Sequence, residues 1–377
     1  MLYDPARHEP LAAIAWDKER VQAAIAHIVR GTEARFSTAH YWPMHPRDAE
    51  GGDAAPAYPL YHGACGVIWA LHHLAHIGAA TLERDYRDAV GPLSARNARW
   101  LRSFGCTFNA SYLMGDTGIL LLDHRMNGGT ATGDRLAALI ESNMTNPTRE
   151  LMWGAPGTLL AALFLHERTG EDRFADLFRA TSRRLWSELE WSPEHACRYW
   201  TQDMYGQRSS YLDAVHGFVA TASPLIRGRH LLAVGEWSQW AACIEETIGN
   251  TASREGPRAN WRAWLHASPG RAPILLMQFC HGAPGFIACL GDMPGTALDD
   301  LLLAAGEAVW TAGPLVKGAN LCHGTAGNGY AFLKLYRRTR DPRWLARARA
   351  FAMHAIAQMH AEERRVGELR YSLWTGE

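Results

Sequence analysis

The sequence has little that would draw it to a polyanion or into a membrane. Its 38 basic residues are matched by 38 acidic ones, so no bulk field favours nucleic acid or an anionic lipid surface. No apolar run reaches the roughly 18 residues of a spanning helix, and the opening Met-Leu-Tyr-Asp-Pro-Ala-Arg-His has no apolar signal core. The expectation is a soluble cytoplasmic protein with no membrane insertion and no nucleic-acid partner. Period-two alternation of Val, Ile and Thr is scarce as well, which argues against a strand-built core. The seven cysteines, Cys65, Cys106, Cys197, Cys243, Cys280, Cys289 and Cys322, are odd in number and scattered. They make no disulfide framework, which leaves metal binding or reactive thiols.

What is present is a repeat. At 377 residues the chain could be one large domain or two ordinary ones, and 47% hydrophobic residues with 15 Trp suit a large core or an aromatic-lined cavity. Gly-x-x-Gly opens an apolar run at Gly63–Gly66, Gly115–Gly118, Gly154–Gly157, Gly282–Gly285 and Gly324–Gly327. A degenerate copy, Gly217-Phe-Val-Ala220, lacks the second glycine, and a seventh begins at Trp374-Thr-Gly376-Glu377, where the sequence stops. Successive first glycines stand 39 to 65 residues apart, room for two helices and two loops.

The stretches after the glycines (Val67–Ile77, Ile119–Leu122, Thr158–Leu165, Phe286–Leu290, Tyr330–Tyr336) are almost continuously apolar and predict helices buried on most sides. Between them lie amphipathic segments at Asp17–Arg30, Asp134–Met144, Asp172–Leu189, Leu298–Trp310 and Asp341–Met359. In the last, Trp344, Ala348, Phe351, Ala355 and Met359 fall three or four apart, behind an Asp341-Pro342 helix start. Inner helices alternating with outer ones read as hairpins in a ring: an all-α chain, folded as a single α/α toroid domain over residues 1–377. The seventh inner helix is expected to be cut off, leaving the ring incomplete at its C-terminal end. The glycine turns should gather at one end of the inner barrel, with Pro43–Pro59 and Arg254–Pro273 as loops over that mouth.

The residues beside the turns carry the chemistry. Two copies read Cys-His-Gly-x-x-Gly, at Cys280-His281-Gly282 and Cys322-His323-Gly324. Thiolate sulfur and imidazole nitrogen are the ligands zinc prefers, at about 2.0–2.3 Å. Cys280, Cys322 and His323 are therefore candidates to hold one Zn2+ with an open fourth position, and His281 is a further candidate ligand at this point. His216, before the fourth turn, has no neighbouring Cys and suits proton transfer near neutral pH. Glu150 stands four residues before Gly154, and Lys317 five before Cys322. A glycosidase-type toroid would need two carboxylates across the cavity, where Glu150 and Asp116 are the obvious pair, and would leave the paired Cys-His-Gly turns unexplained. Prenyltransferase subunits also join an α/α barrel to zinc, but their ligand order does not fit.

Together the repeat, the paired Cys-His-Gly turns and the block from Leu315 to Leu333 resemble the lanthionine synthetase C-like family. The form Cys-His-Gly-Ala-Pro-Gly and the Lys ahead of the second motif resemble its eukaryotic-type, LanC-like branch more than the classical lantibiotic cyclases. The resemblance implies a toroid of seven inner and seven outer helices, with zinc on Cys280, Cys322 and His323 and His281 outside the ligand set. It implies an acid/base role for His216, with Glu150 and Lys317 as further catalytic positions. The implied reaction is zinc-dependent addition of a thiol, from a peptide Cys or from glutathione, to dehydroalanine or dehydrobutyrine, giving a lanthionine-type thioether. The implied partners are a dehydrated peptide or protein substrate, glutathione, and a separate dehydratase. The altered fourth turn and shortened end raise an alternative, a catalytically weak zinc-containing scaffold that binds peptide or glutathione.

Overall fold

The computed structural model describes residues 1–45, 48, 55–266 and 275–376. Fourteen α-helices order the described residues. They are α1 (Lys18–Arg35), α2 (Ala64–His76), α3 (Arg87–Val90), α4 (Leu93–Ser103), α5 (Asp116–Asn127), α6 (Thr130–Asn143) and α7 (Ala155–Thr169). The second half holds α8 (Asp172–Ser187), α9 (Phe218–Arg227), α10 (Val234–Thr251), α11 (Ala283–Leu290), α12 (Asp299–Ala312), α13 (Thr325–Thr339) and α14 (Pro342–Val366). Three antiparallel hairpins are inserted among them: β1 (Glu190–Ser192) with β2 (Cys197–Tyr199), β3 (Gln202–Met204) with β4 (Gln207–Ser209), and β5 (Ser253–Glu255) with β6 (Arg258–Asn260).

The helices that begin at glycine turns pack in sequence order, α2 on α5, α5 on α7, α7 on α9, α9 on α11 and α11 on α13. Each of these is an inner helix, and its outer partner follows it: α8 packs on α7, α12 on α11 and α14 on α13. This is the expected all-α toroid. The inner helices are buried nearly all round because their residues are small or apolar. In α7, Leu159, Ala161, Ala162 and Leu163 are all fully buried. The outer helices are amphipathic, and α14 buries the stripe Trp344, Ala348, Phe351, Ala355 and Met359 that its spacing dictates. Asp341 caps its first turn, accepting from the Arg343 N–H at 2.9 Å, and Gly367 ends it in the left-handed conformation at φ 85°. One continuous core runs from α5 to α14 and includes the stacked rings of Trp261 and Phe286, 4.4 Å apart.

Where a turn has a second glycine, that glycine is a contact requirement. A Cβ at Gly157 would lie 2.2 Å from the carbonyl oxygen of Leu151, and one at Gly285 would lie 2.0 Å from that of Phe279. The incoming strand of chain lies directly against the first turn of its own helix, and nothing larger than hydrogen fits between them.

Some details differ from the sequence expectation. The pattern does not distinguish the outer segments α4 and α10, and several helices run past the periodic stretch at one end, as α1 does at its C-terminal end by reaching Arg35. The stretch Arg254–Pro273 is not all loop, since it enters through the β5–β6 hairpin; its residues 267–273 lie outside the described residues. Met44, Asp48 and Ala55, from Pro43–Pro59, line the mouth as expected, although most of residues 46–54 lie outside the described ones. At the seventh turn, Leu373 packs against Gly66 at the start of α2. No described helix is long and apolar enough to cross a membrane.

Replacing Gly157 by Ala should cost roughly 1–3 kcal/mol, because backbone must move to admit the methyl group. Gly249, in α10 with open space around its Cβ position, should gain about 0.5–1 kcal/mol from the same change. Chemical denaturation of the two variants checks this, with opposite shifts of the midpoint expected.

Candidate active site

The turns share one architecture. The residue two before each first glycine points to the axis, and the backbone N–H of one such residue bonds to the carbonyl of the next turn's. Tyr61 N–H donates to Leu113 O at 3.0 Å, Leu113 N–H to Met152 O at 3.2 Å, and Cys280 N–H to Cys322 O at 2.9 Å. The equivalence of position therefore puts Cys280 and Cys322 side by side. With Met114, Met152 and Val215 they form a buried apolar plug, and Tyr61, Trp153 and Trp374 lean on it.

In the third, fourth and sixth turns the residue four before the first glycine holds its turn together through a side-chain acceptor. Glu150 accepts from the N–H groups of Met152 and Trp153 at 2.9 and 2.5 Å. Asp213 accepts from those of Val215 and His216 at 3.0 and 2.7 Å, and Asn320 from that of His323 at 3.0 Å. The two carboxylates also reach the next turn. Glu150 Oε2 lies 2.8 Å from His216 Nδ1, and Asp213 Oδ2 lies 2.7 Å from His281 Nδ1. Both carboxylate side chains have no exposure, while the two imidazoles keep 19% and 24%. Each His thus has Nδ1 committed to a buried anion and Nε2 left for the mouth.

Cys280, Cys322 and His323 are buried, and their Sγ, Sγ and nitrogen donors all lie within 4.8 Å of one another. Cys322 receives further hydrogen bonding. The Tyr61 hydroxyl is 3.0 Å from its Sγ, and the Gln278 amide donates to Cys280 Sγ at 3.0 Å. Hydrogen bonding from Cys280 is the main influence on Cys322; burial opposes it, His323 and Tyr61 add to it, and the thiol is pulled down to about 5. Cys280 is raised in consequence, by the same hydrogen bond and by burial. The donor set fits a zinc ion, with two adjacent sulfurs, one already favouring the anion, and one imidazole in a dry, prearranged cluster.

The other titrations follow from burial against charge. Burial alone would lower His216, but the hydrogen bond and charge of Glu150, helped by Asp213, raise it. Burial would raise Asp213, yet His281 and His216 hold it below the usual carboxylate range. Burial pushes His62, beside the first turn, down to about 4.

Of the six candidate residues, five come together in two groups, Cys280–Cys322–His323 and Glu150–His216. Lys317 is exposed on the loop before the sixth turn and makes no hydrogen bond or ion pair to the site among the described residues. The alanine at position 220 leaves His216 in place, facing Glu150. Sequence reasoning missed Tyr61, Asp213, Gln278 and Asn320. The signal was available for three of them, since they share the offset of Glu150, four residues before a first glycine. The mouth opens into a cavity of about 1290 Å³ lined by Trp100, Phe104, Phe108, Trp153, Tyr205 and Trp374, among others.

Comparison with known proteins gives a consistent picture. The family model described as lanthionine synthetase C-like protein matches residues 56–376. Glutathione S-transferase LANCL1 of Danio rerio is 28% identical over 329 residues, covering 81% of this chain and 74% of that protein. LanC-like protein GCL1 of Arabidopsis thaliana is 37% identical over 120 residues, covering 29% of this chain and 27% of that one. The solved structure of nisin cyclase superposes with a TM-score of 0.58 at 15% identity, covering 84% of this chain and 86% of that one; at that identity it speaks for the α/α toroid alone.

Replacing Asp213 by Asn should move the His281 proton from Nδ1 to Nε2, which 15N-edited histidine NMR reads directly. Because Asp213 is held below its ordinary pKa, its contribution to stability is complete above the unfolded carboxylate value and is lost as pH falls through the folded one. The stability gap between parent and D213N should therefore be full near neutral pH and narrow in acid, a trend that denaturation at stepped pH checks. A gap that widened in acid would contradict the assignment.

Proposed function

Because the chain belongs to the lanthionine synthetase C-like family, we propose that it adds a thiol to a dehydroalanine or dehydrobutyrine residue of a peptide or protein, forming a thioether. The observation that carries this reading is the buried Cys280–Cys322–His323 cluster beside the Glu150–His216 pair, at one mouth. Cys280, Cys322 and His323 would hold a zinc ion. When bound, zinc supplies Lewis acidity that lowers the pKa of a substrate thiol, so that its sulfur is nucleophilic at neutral pH.

The chain's own residues do the rest. The thiol loses its proton and its sulfur bonds to Cβ, the carbon–carbon π bond breaks, and the resulting enolate takes a proton at Cα. His216 delivers that proton from Nε2, since Nδ1 is held by Glu150. Glu150 fixes the ring and favours its protonated form, its hydrogen bond and charge raising the imidazole pKa against the effect of burial. Tyr61 and Gln278 place hydrogen bonds on the two sulfurs. Lys317 is assigned the enolate's negative charge. The aromatic cavity accepts the apolar side chains flanking the dehydrated residue. Glutathione is favoured as the thiol by the similarity to the relative named glutathione S-transferase LANCL1. Dehydration of the substrate is assigned to a separate dehydratase.

Elemental analysis should find about one zinc in the sulfur cluster per chain, and Cys322→Ala should lose it. His216→Ala should keep the zinc and lose roughly 10²–10⁴-fold in turnover of a dehydroalanine peptide with glutathione. A His216→Ala protein of unchanged turnover would leave the zinc-binding scaffold as the better reading. Glu150→Gln should shift the alkaline limb of the rate–pH profile to lower pH, because the carboxylate that raises His216 is gone. An unmoved limb would remove Glu150 from the proposed role.

A further inference from the structure

Away from the glycine turns, one cluster combines metal-binding side chains from two helices. His360 and Glu363 stand one turn apart on α14, and His27 meets them from α1. The three donor atoms lie within 4.8 Å of one another. His27 Nε2 is 2.8 Å from both oxygens of Glu363, and His360 Nδ1 is 3.7 Å from Glu363 Oε2. Four donors placed tetrahedrally at about 2.1 Å from an ion stand about 3.4 Å apart, so these separations bracket that value. The two rings are tilted with their centroids 5.6 Å apart, and the side chains keep 37%, 35% and 27% exposure for His27, His360 and Glu363. The site is thus reachable from solvent. Two imidazoles and one carboxylate are a donor set for zinc and its borderline neighbours, with room for a water ligand.

The place gives such an ion a purpose. Helix α1 packs against α14, so this seam joins the first outer helix of the described residues to the last of them. Its buried apolar content is small: Ala24, Met359 and Leu369, with Ile28 and Ile356 beside them. An ion pair between Arg35 and Glu368 lies along the same seam, and partly exposed pairs of this kind contribute little. A metal bridge contributes far more than an ion pair, because its bonds are lost when the helices part.

We propose that His27, His360 and Glu363 form a second divalent-metal site, structural in kind, that fastens α1 to α14 and closes the outer ring. It uses no residue of the sulfur cluster and stands independently of the thioether-forming reading. The test uses the full chain without an affinity tag, loaded with Co2+, desalted and assayed for bound metal. Cobalt on thiolates absorbs strongly in the near ultraviolet, whereas cobalt on two imidazoles and a carboxylate does not, so the two sites are told apart spectroscopically.

The expected result is two ions per chain, with His360→Ala and Glu363→Gln each losing the one without the thiolate band. Cys322→Ala should lose the other and keep this one, and its melting temperature should rise with Zn2+ unless His360→Ala is added. An empty sulfur cluster together with an ion that His360→Ala removes would sink the catalytic reading and support this one. One ion per chain that His360→Ala leaves untouched, or a second ion that survives both His27→Ala and His360→Ala, would overturn the proposal and reduce the cluster to an ion pair.

Discussion

The structure depends on one contact, the packing of an incoming chain segment against the first turn of the helix it is about to enter. A carbonyl oxygen sits where a Cβ would be, which is why glycine recurs at that point and why the turn has so little freedom. Once the turn is fixed, every residue near it has an assigned direction. The position two before the glycine faces the axis, the next faces the mouth, and the position four before closes the turn from within. Chemistry then needs only the right residue types at those offsets. Cys280, Cys322 and His323 are brought together by equivalence of position, although forty-odd residues separate the two motifs.

This is also why so much was legible in the sequence. The Gly-x-x-Gly spacing and the alternation of continuous with striped apolar segments carry the toroid, because burial on all sides and burial on one side leave different patterns. The pairing of Glu150 with His216 was not readable in the same way. A lone Glu and a lone His carry no mark of their distance, and the link is made by tertiary adjacency of the third and fourth turns. Asp213 was invisible for a subtler reason. It looks like an ordinary turn residue, and it is one; only its second oxygen, aimed at His281, has a role beyond the turn. Lys317 shows the opposite case, a residue marked by its motif whose side chain the fold leaves exposed.

The fourth turn illustrates how far local sequence can depart without moving the chemistry. Alanine replaces the second glycine there, yet His216 keeps its place. Its orientation is set elsewhere, by its backbone N–H on Asp213 and its ring on Glu150. Two buried carboxylates hold the residue from two directions, and each would lose a partner if it moved. A hydrogen bond to a buried charged group is worth about 1.5–3 kcal/mol, comparable to what admitting an extra methyl group costs.

The polar residues four before the glycines follow an order that electrostatics explains. Through the third to sixth turns they are Glu150, Asp213, Gln278 and Asn320. The two turns without a cysteine carry carboxylates, and the two that carry Cys280 and Cys322 carry neutral amides of matching shape. Glu150, Asp213 and Asn320 close their turns by accepting an N–H, while the Gln278 oxygen accepts from the Arg7 guanidinium. Beside a sulfur that must become an anion, however, a carboxylate would repel it in a poorly screened interior. An amide instead offers a donor, as Gln278 does to Cys280 Sγ. Conversely, an amide in place of Glu150 would still close the third turn but would not hold a proton on His216. The same position is therefore filled by different side chains according to the charge each turn must tolerate. The site's two halves, one that favours negative sulfur and one that favours a protonated imidazole, are separated by that choice.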